Sequence, residues 1–163
     1  MAQTYKRVMV DIGGVKFYPI EAKYSLARNA NQAGRRVGDS LQARAYIWLD
    51  AHDTARLSQD QMIQLWKKAT DPKDNPEKVS ITYYHEDATR VLTNVEFNGW
   101  ISVFQTYNPA PGGQSLLAPG GDGSTGGMSG VATQSFTGYN NVLYLEVVAA
   151  VDEPNVSKHK LTK

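Results

Sequence analysis

The sequence predicts a mainly β domain carrying one short amphipathic helix. Three observations predict it. Several separate runs alternate apolar and polar residues with the two-residue period of half-buried strands. A single window, opening at Ser58, has helical apolar spacing behind a capping signature. Gly-Gly, Asp-Pro and a long Gly-rich stretch punctuate the runs as turns and connections. The 163 residues are 41% hydrophobic and 20% charged, which is the profile of one globular domain covering residues 1–163.

From the N-terminus, Val8, Val10 and Ile12 alternate with Arg7, Met9 and Asp11 as a strand. Gly13-Gly14 then predicts a hairpin turn in which both central residues take positive φ. The return strand runs from about Val15 to Leu26, with Tyr18, Ile20, Ala22, Tyr24 and Leu26 on one face and Pro19 marking an edge or bulge. Residues 28–40 lack an apolar period and are read as a polar protruding loop or hairpin.

Leu41 to Asp50 alternates again, with Leu41, Ala43, Ala45, Ile47 and Leu49 opposed to Gln42, Arg44, Tyr46 and Trp48. Ser58 and Gln61 form a capping box, and Met62, Leu65, Trp66 and Ala69 follow at i, i+3, i+4 and i+7, the expected core stripe of the helix. Lys67 and Lys68 sit where the negative end of the helix dipole favours cations, and Asp71-Pro72 stops the helix.

Strands are expected over Val79 to Tyr84 and Val91 to Tyr107, with Val95, Phe97, Ile101 and Val103 sharing a parity and Gly99 marking a bend or a close backbone approach. Residues 108–140 form a Gly-rich stretch too poor in large apolar residues to pack, although Leu116, Leu117 and Phe136 are potential anchors. A last strand covers Asn141 to Val151, and a polar tail, 152–163, closes the chain.

The composition excludes several functions. With no cysteine there is no disulfide, thiol nucleophile or Cys-ligated metal. Seventeen Lys and Arg against sixteen Asp and Glu leave no global field for nucleic acid or anionic lipid. Arg28, Arg35 and Arg36, and Lys67, Lys68, Lys73 and Lys78, are not interleaved with the stacking aromatics that single-stranded nucleic acid needs. No apolar run approaches the ~20 residues of a membrane helix, and the first residues lack a signal peptide, so folding in the cytoplasm is expected.

Gly121 to Gly126 matches G-x-G-x-x-G, but no strand precedes it and no helix follows to place a pyrophosphate on amide donors. Asp50, His52 and Asp53 have metal-ligating chemistry, yet they fall in a turn where small polar residues are expected anyway. The same holds for His85, Glu86 and Asp87, while His159 lies in the tail and Asn155-Val156-Ser157 is a glycan acceptor motif without a signal peptide. No catalytic, cofactor-binding or metal-binding residue is assigned, and the chain is read as a non-enzyme without cofactors.

Residues 10–40, with Tyr24, Ser25, Leu26, Arg28, Gly34, Arg35, Arg36 and Gly38, and residues 141–154 at the other end, carry a resemblance. Together with the order of elements, they make the chain similar to the haemolysin-coregulated proteins (Hcp, or TssD), the tube family of type VI secretion, and to the related tail-tube proteins of phage-like contractile injection particles. The resemblance implies a β-barrel of two packed antiparallel sheets flanked by the helix. It implies hexameric rings stacked into a tube, with sheath and spike or baseplate proteins and secreted effectors as partners and no nucleic acid or membrane. The product would assemble in the cytoplasm and then be secreted. On this reading Asn29, Gly34, Arg35, Arg36 and Asp39 contact an adjacent ring or subunit, and Gln42, Arg44, Glu96 and Asn98 line the lumen. The reading from another class is a small-ligand-binding β-barrel carrier.

Overall fold

The computed structural model describes residues 6–30, 36–71, 75–85, 89–107, 141–150 and 160–162; the side chains of 27–30, 36–42, 107 and 160–162 are outside that description. The strands are β1 (Val8–Ile12), β2 (Val15–Phe17), β3 (Glu21–Ala30), β4 (Arg36–Asp50), β5 (Glu77–Tyr84), β6 (Val91–Tyr107), β7 (Val142–Ala149) and β8 (Lys160–Thr162). The helix α1 (Gln59–Thr70) lies between β4 and β5. The class is mainly β, as the alternation predicts.

The strands form one antiparallel sheet in the order β2-β1-β5-β6-β7-β4-β3, with β8 added beside β6, rather than two packed sheets. Its two outermost strands are consecutive in the chain. Residues 15–30 run as one bent strand whose first part pairs with β1 and whose second part pairs with β4, so the sheet rolls around a core while its ladder stays open between β2 and β3. Pro19, which has no N–H to give a ladder, marks the change of partner. Tyr18 N–H donates to Arg56 O at 3.1 Å and Ile20 N–H to Trp48 O at 2.8 Å, so both flanking amides find acceptors. Contacts across the roll confirm the curl: Tyr24 of β3 packs on Phe97 of β6 at 5.6 Å between ring centroids, and Tyr83 Oη of β5 donates to Ala22 O of β3.

One parity of each strand fills the interior: Val10 and Ile12, Phe17, Ala45 and Ile47, Val79 and Ile81, Phe97, and Leu143, Leu145 and Val147 are buried together. Burial of each such Val, Leu, Ile or Phe side chain contributes roughly 1.5–3 kcal/mol before conformational entropy is subtracted. These side chains occupy the space that a carrier would reserve for its ligand.

Gly13 and Gly14 have φ of 56° and 89°, the positive pair the turn requires. At Gly99 an added Cβ would run into the Val148 carbonyl oxygen of β7, which is the close approach the glycine permits.

The sequence reading needs correction in four places. Of the two readings of residues 28–40, the hairpin holds for 28–30 and 36–40 and the loop does not: β3 and β4 pair from Glu21–Trp48 out to Ala30–Arg36 with an irregularity after Arg28. Polarity concealed this, because a strand of polar residues has no apolar alternation to read. The tail is not wholly unpaired either, since Lys160–Thr162 continues the line of β7 along β6.

Third, Val103 leaves the core face. A register shift between Ile101 and Val103 reverses the facing of the following residues, so that Phe104 packs toward the core and Val103 toward the opposite side. Fourth, the helix stripe is only partly buried. Leu65 is fully buried and Met62 packs against the core, but Trp66 is 52% exposed. α1 packs against β2 and β6, and Leu65 is its one fully buried residue. The Gly-rich segment 108–140 lies outside the described residues.

Candidate functional site

The face opposite the core carries two connected sets of side chains that a lone polar surface would not need. On β4 and β7, the register places Arg44 opposite Val148, Tyr46 opposite Glu146 and Trp48 opposite Tyr144. Arg44 Nη1 donates to Glu146 Oε1 at 2.7 Å, and Glu146 is only 5% exposed. Tyr144 Oη donates to Glu146 Oε2 at 3.5 Å, and Ser102 Oγ donates to the Glu146 carbonyl oxygen at 3.1 Å. A buried carboxylate is tolerable only with such partners.

Beside this pair, Tyr46, Trp48, Val142 and Tyr144 form a second buried apolar cluster against Ile20 and Val103, with the Trp48 and Tyr144 rings tilted at 43° and 5.4 Å apart. Burial first, and then the nearby Glu146 charge, raises the pKa of both the Tyr46 and Tyr144 phenols. Both phenols therefore remain neutral, and Tyr144 keeps the proton it donates to the carboxylate.

The second set lies on β5 and β6. Ser80 Oγ and Thr82 Oγ1 both donate to Asn94 Oδ1, at 3.0 and 3.1 Å, and Asn94 Nδ2 donates to Glu96 Oε1 at 3.2 Å. Lys78 Nζ stands 3.6 Å from Glu96 Oε2. On this face Arg44 is thus matched by Glu146 and Lys78 by Glu96.

No protein-family model matches the chain, and no curated protein matches it. Among solved structures, Hcp1 from Flavobacterium johnsoniae superposes with a TM-score of 0.54 at 10% identity, over 87% of this chain and 89% of that one. The chain has the fold of Hcp1. The sheath-tube complex of an extracellular contractile injection system, PVC, in the extended state matches with a TM-score of 0.49 at 10% identity, over 96% of this chain and 88% of that one. The tube-terminating cap of the anti-feeding prophage matches with a TM-score of 0.47 at 10% identity, over 97% and 89%.

Within this Hcp1 fold, the residues predicted to line a channel divide. Arg44, Glu96 and Asn98 share the face opposite the core, but Arg44 is tied to Glu146 and Glu96 to Asn94, while the Asn98 carbonyl oxygen accepts from Ala150 N–H at 2.8 Å. Gln42 pairs along the backbone with Ala27, and its side chain lies outside the described residues. Of the predicted contact residues, Asn29 lies in β3 and Arg36 and Asp39 in β4, all near the far end of the hairpin; their side chains, and Gly34 and Arg35 entirely, lie outside the described residues.

The Asp50, His52, Asp53 group resolves into turn chemistry. Asp50 Oδ1 accepts from His52 N–H at 2.9 Å, and Asp53 accepts from Ala55 N–H and pairs with Arg56. Among the described residues, no group of three or more His, Asp and Glu side chains is placed to hold a metal ion.

Sequence reasoning missed Glu146 as the anchor of this face and Phe104 as a core residue. An acid in the middle of the otherwise apolar run 142–149 was the available signal for the first, since a charge there requires a partner on a neighbouring strand. Nothing local marks the bulge that turns Phe104 inward.

Proposed function

We propose that the chain is a structural subunit of the tube of a contractile injection apparatus of the type VI secretion kind, closing into hexameric rings that stack. The observation that carries the reading is the shared fold with Hcp1 over nearly the whole chain. The two side-chain sets opposite the core support it. The two ion pairs on this face, Arg44 with Glu146 and Lys78 with Glu96, each cancel their own charge, which suits a conduit that should hold neither cationic nor anionic cargo strongly.

On this reading the subunit does no chemistry of its own and binds no cofactor. Its partners are other copies of itself, a sheath around the tube, spike or baseplate proteins at its end, and the effectors it carries. Assembly takes place in the cytoplasm, and export follows when the sheath contracts.

The test is the assembly state of the purified full chain. Size-exclusion chromatography with light scattering should give a hexamer, and negative-stain micrographs should show rings with a central opening. A stable monomer at concentrations of tens of micromolar, with no rings in micrographs, would overturn the proposal.

A further inference from the structure

We propose that the apolar groove between α1 and the end of β6 receives Val91 and Leu92 from a second copy of this chain, with Arg90 of that copy set against Asp60. The inference rests on the tube-subunit reading and adds to it one contact between subunits. The groove has a volume of about 180 Å³ and is lined by Met62, Ile63, Trp66, Phe104 and Thr106. An apolar cavity of about 150 Å³ holds a benzene molecule, so this one has room for a leucine side chain.

Both surfaces depend on irregularities of β6. The register shift between Ile101 and Val103 brings Phe104 to the side of the strand that faces the groove, where Ile63 and Trp66, three residues apart on α1, stay exposed beside it. At the other end, Tyr83 pairs with Thr93 but Tyr84 pairs with Val91, so Leu92 is the extra residue of a bulge. Strict alternation would send Val91 and Leu92 to opposite faces of the sheet. With the bulge both are exposed, at 46% each, and two adjacent apolar side chains are presented to solvent.

Charge fixes the occupant and its direction. Asp60 and Lys67 stand about one turn to either side of Ile63 on α1, an acid toward one end of the groove and a base toward the other. Arg90 directly precedes the apolar pair, and all three charged residues are exposed. Asp60 and Arg90 have no ion pair among the described residues. Seating Val91 and Leu92 with Arg90 toward Asp60 matches these two charges, whereas the reverse direction sets Arg90 against Lys67.

The chain does not fill its own groove. Leu92 and Phe104 lie 12 residues apart on one strand, about 40 Å at the usual rise and well beyond the reach of a side chain. A surface at one end of β6 that fits a different surface at the other end makes a heterologous contact, the kind that closes into a ring or propagates.

Two single variants and their mixture test the contact in the full chain. Trp66→Glu spoils the groove and Leu92→Glu the apolar pair, and each should raise the concentration needed for ring formation at least tenfold, with circular dichroism unchanged. Ile63→Glu and Val91→Glu, also at exposed positions, replace either variant should it fail to fold. An equimolar mixture of the two variants retains one good groove and one good apolar pair, so sedimentation velocity should show a heterodimer at concentrations where neither variant associates alone. Arg90→Asp and Asp60→Arg should each weaken ring formation at least threefold, and the double variant should restore it to within about twofold of the parent.

Ring formation by both glutamate variants at the parent's concentration, a mixture that stays monomeric, or no recovery in the charge-exchanged double variant would overturn the contact and leave the ring reading standing. If the parent forms no rings at all, both readings fall together.

Discussion

Lys68 in the last turn of α1 and Glu77 at the start of β5 meet in a 2.7 Å ion pair directly against the place where Gly13 lacks a side chain. An added Cβ at Gly13 would collide with the Glu77 carboxylate and would come within 2.6 Å of Lys68 Nζ. Three segments far apart in sequence, the β1–β2 turn, the helix end and the β5 start, thus converge on one point. The pair itself is partly exposed, so its own contribution is small, at most about 1 kcal/mol. The glycine matters more, because its φ of 56° is one that other residues avoid.

Gly13→Ala should therefore destabilise the fold by about 1–3 kcal/mol, the usual cost of a residue held in a sparsely populated backbone region. Glu77→Gln should cost less than about 1 kcal/mol. Urea denaturation of both variants checks the order, and equal losses would show that the ion pair rather than the backbone governs the site.

Arg44→Ala leaves the Glu146 carboxylate buried without its guanidinium and should cost about 3 kcal/mol. Replacing both partners, Arg44→Met with Glu146→Leu, should recover most of that loss, since an apolar pair has no charge to desolvate. A double-mutant cycle in chemical denaturation measures the coupling, and a double variant as unstable as Arg44→Ala would contradict this account.

On the helix, Leu65→Ala should cost 2–5 kcal/mol, as expected for a fully buried leucine. Trp66→Ala should cost under about 1 kcal/mol in the monomer, because half of the indole already faces solvent. A larger loss in the assembled ring than in the monomer would place Trp66 at a subunit contact.

Burial raises the pKa of Tyr24, Tyr46, Tyr83 and Tyr144 above the ordinary phenol value of 10.0. For an acid whose folded pKa is raised, the folded state holds the proton more tightly. The associated stability is complete below pH 10 and is lost as the pH rises through the folded values. A spectrophotometric titration should therefore show part of the tyrosines ionising late, together with loss of structure, and denaturation midpoints should fall progressively above pH 10. Simple titration of all nine tyrosines near pH 10 with the fold intact would refute it.

What the sequence by itself determined is whatever depends on neighbours along the chain. Alternation placed the core parity of β1, β4 and β7, Gly13-Gly14 placed a turn that needs positive φ, and Ser58 with Gln61 placed the start of α1 through bonds spanning three residues. Each is a local constraint, and each is legible because a strand or a cap imposes its period on its own residues.

Only the tertiary structure decided the rest. That residues 15–30 serve both edges of one rolled sheet depends on β1 and β4, which lie on either side of the segment in the sequence. That Val103 and Phe104 exchange faces depends on the register against β7, some forty residues on. That Glu146 is affordable in an apolar strand depends on Arg44, 102 residues away. That Trp66 faces outward while Leu65 does not depends on how α1 packs against β2 and β6. Hydrophobic periodicity says which side of an element is apolar, but the partner that covers it, and the angle of approach, follow from long-range packing that no local window contains.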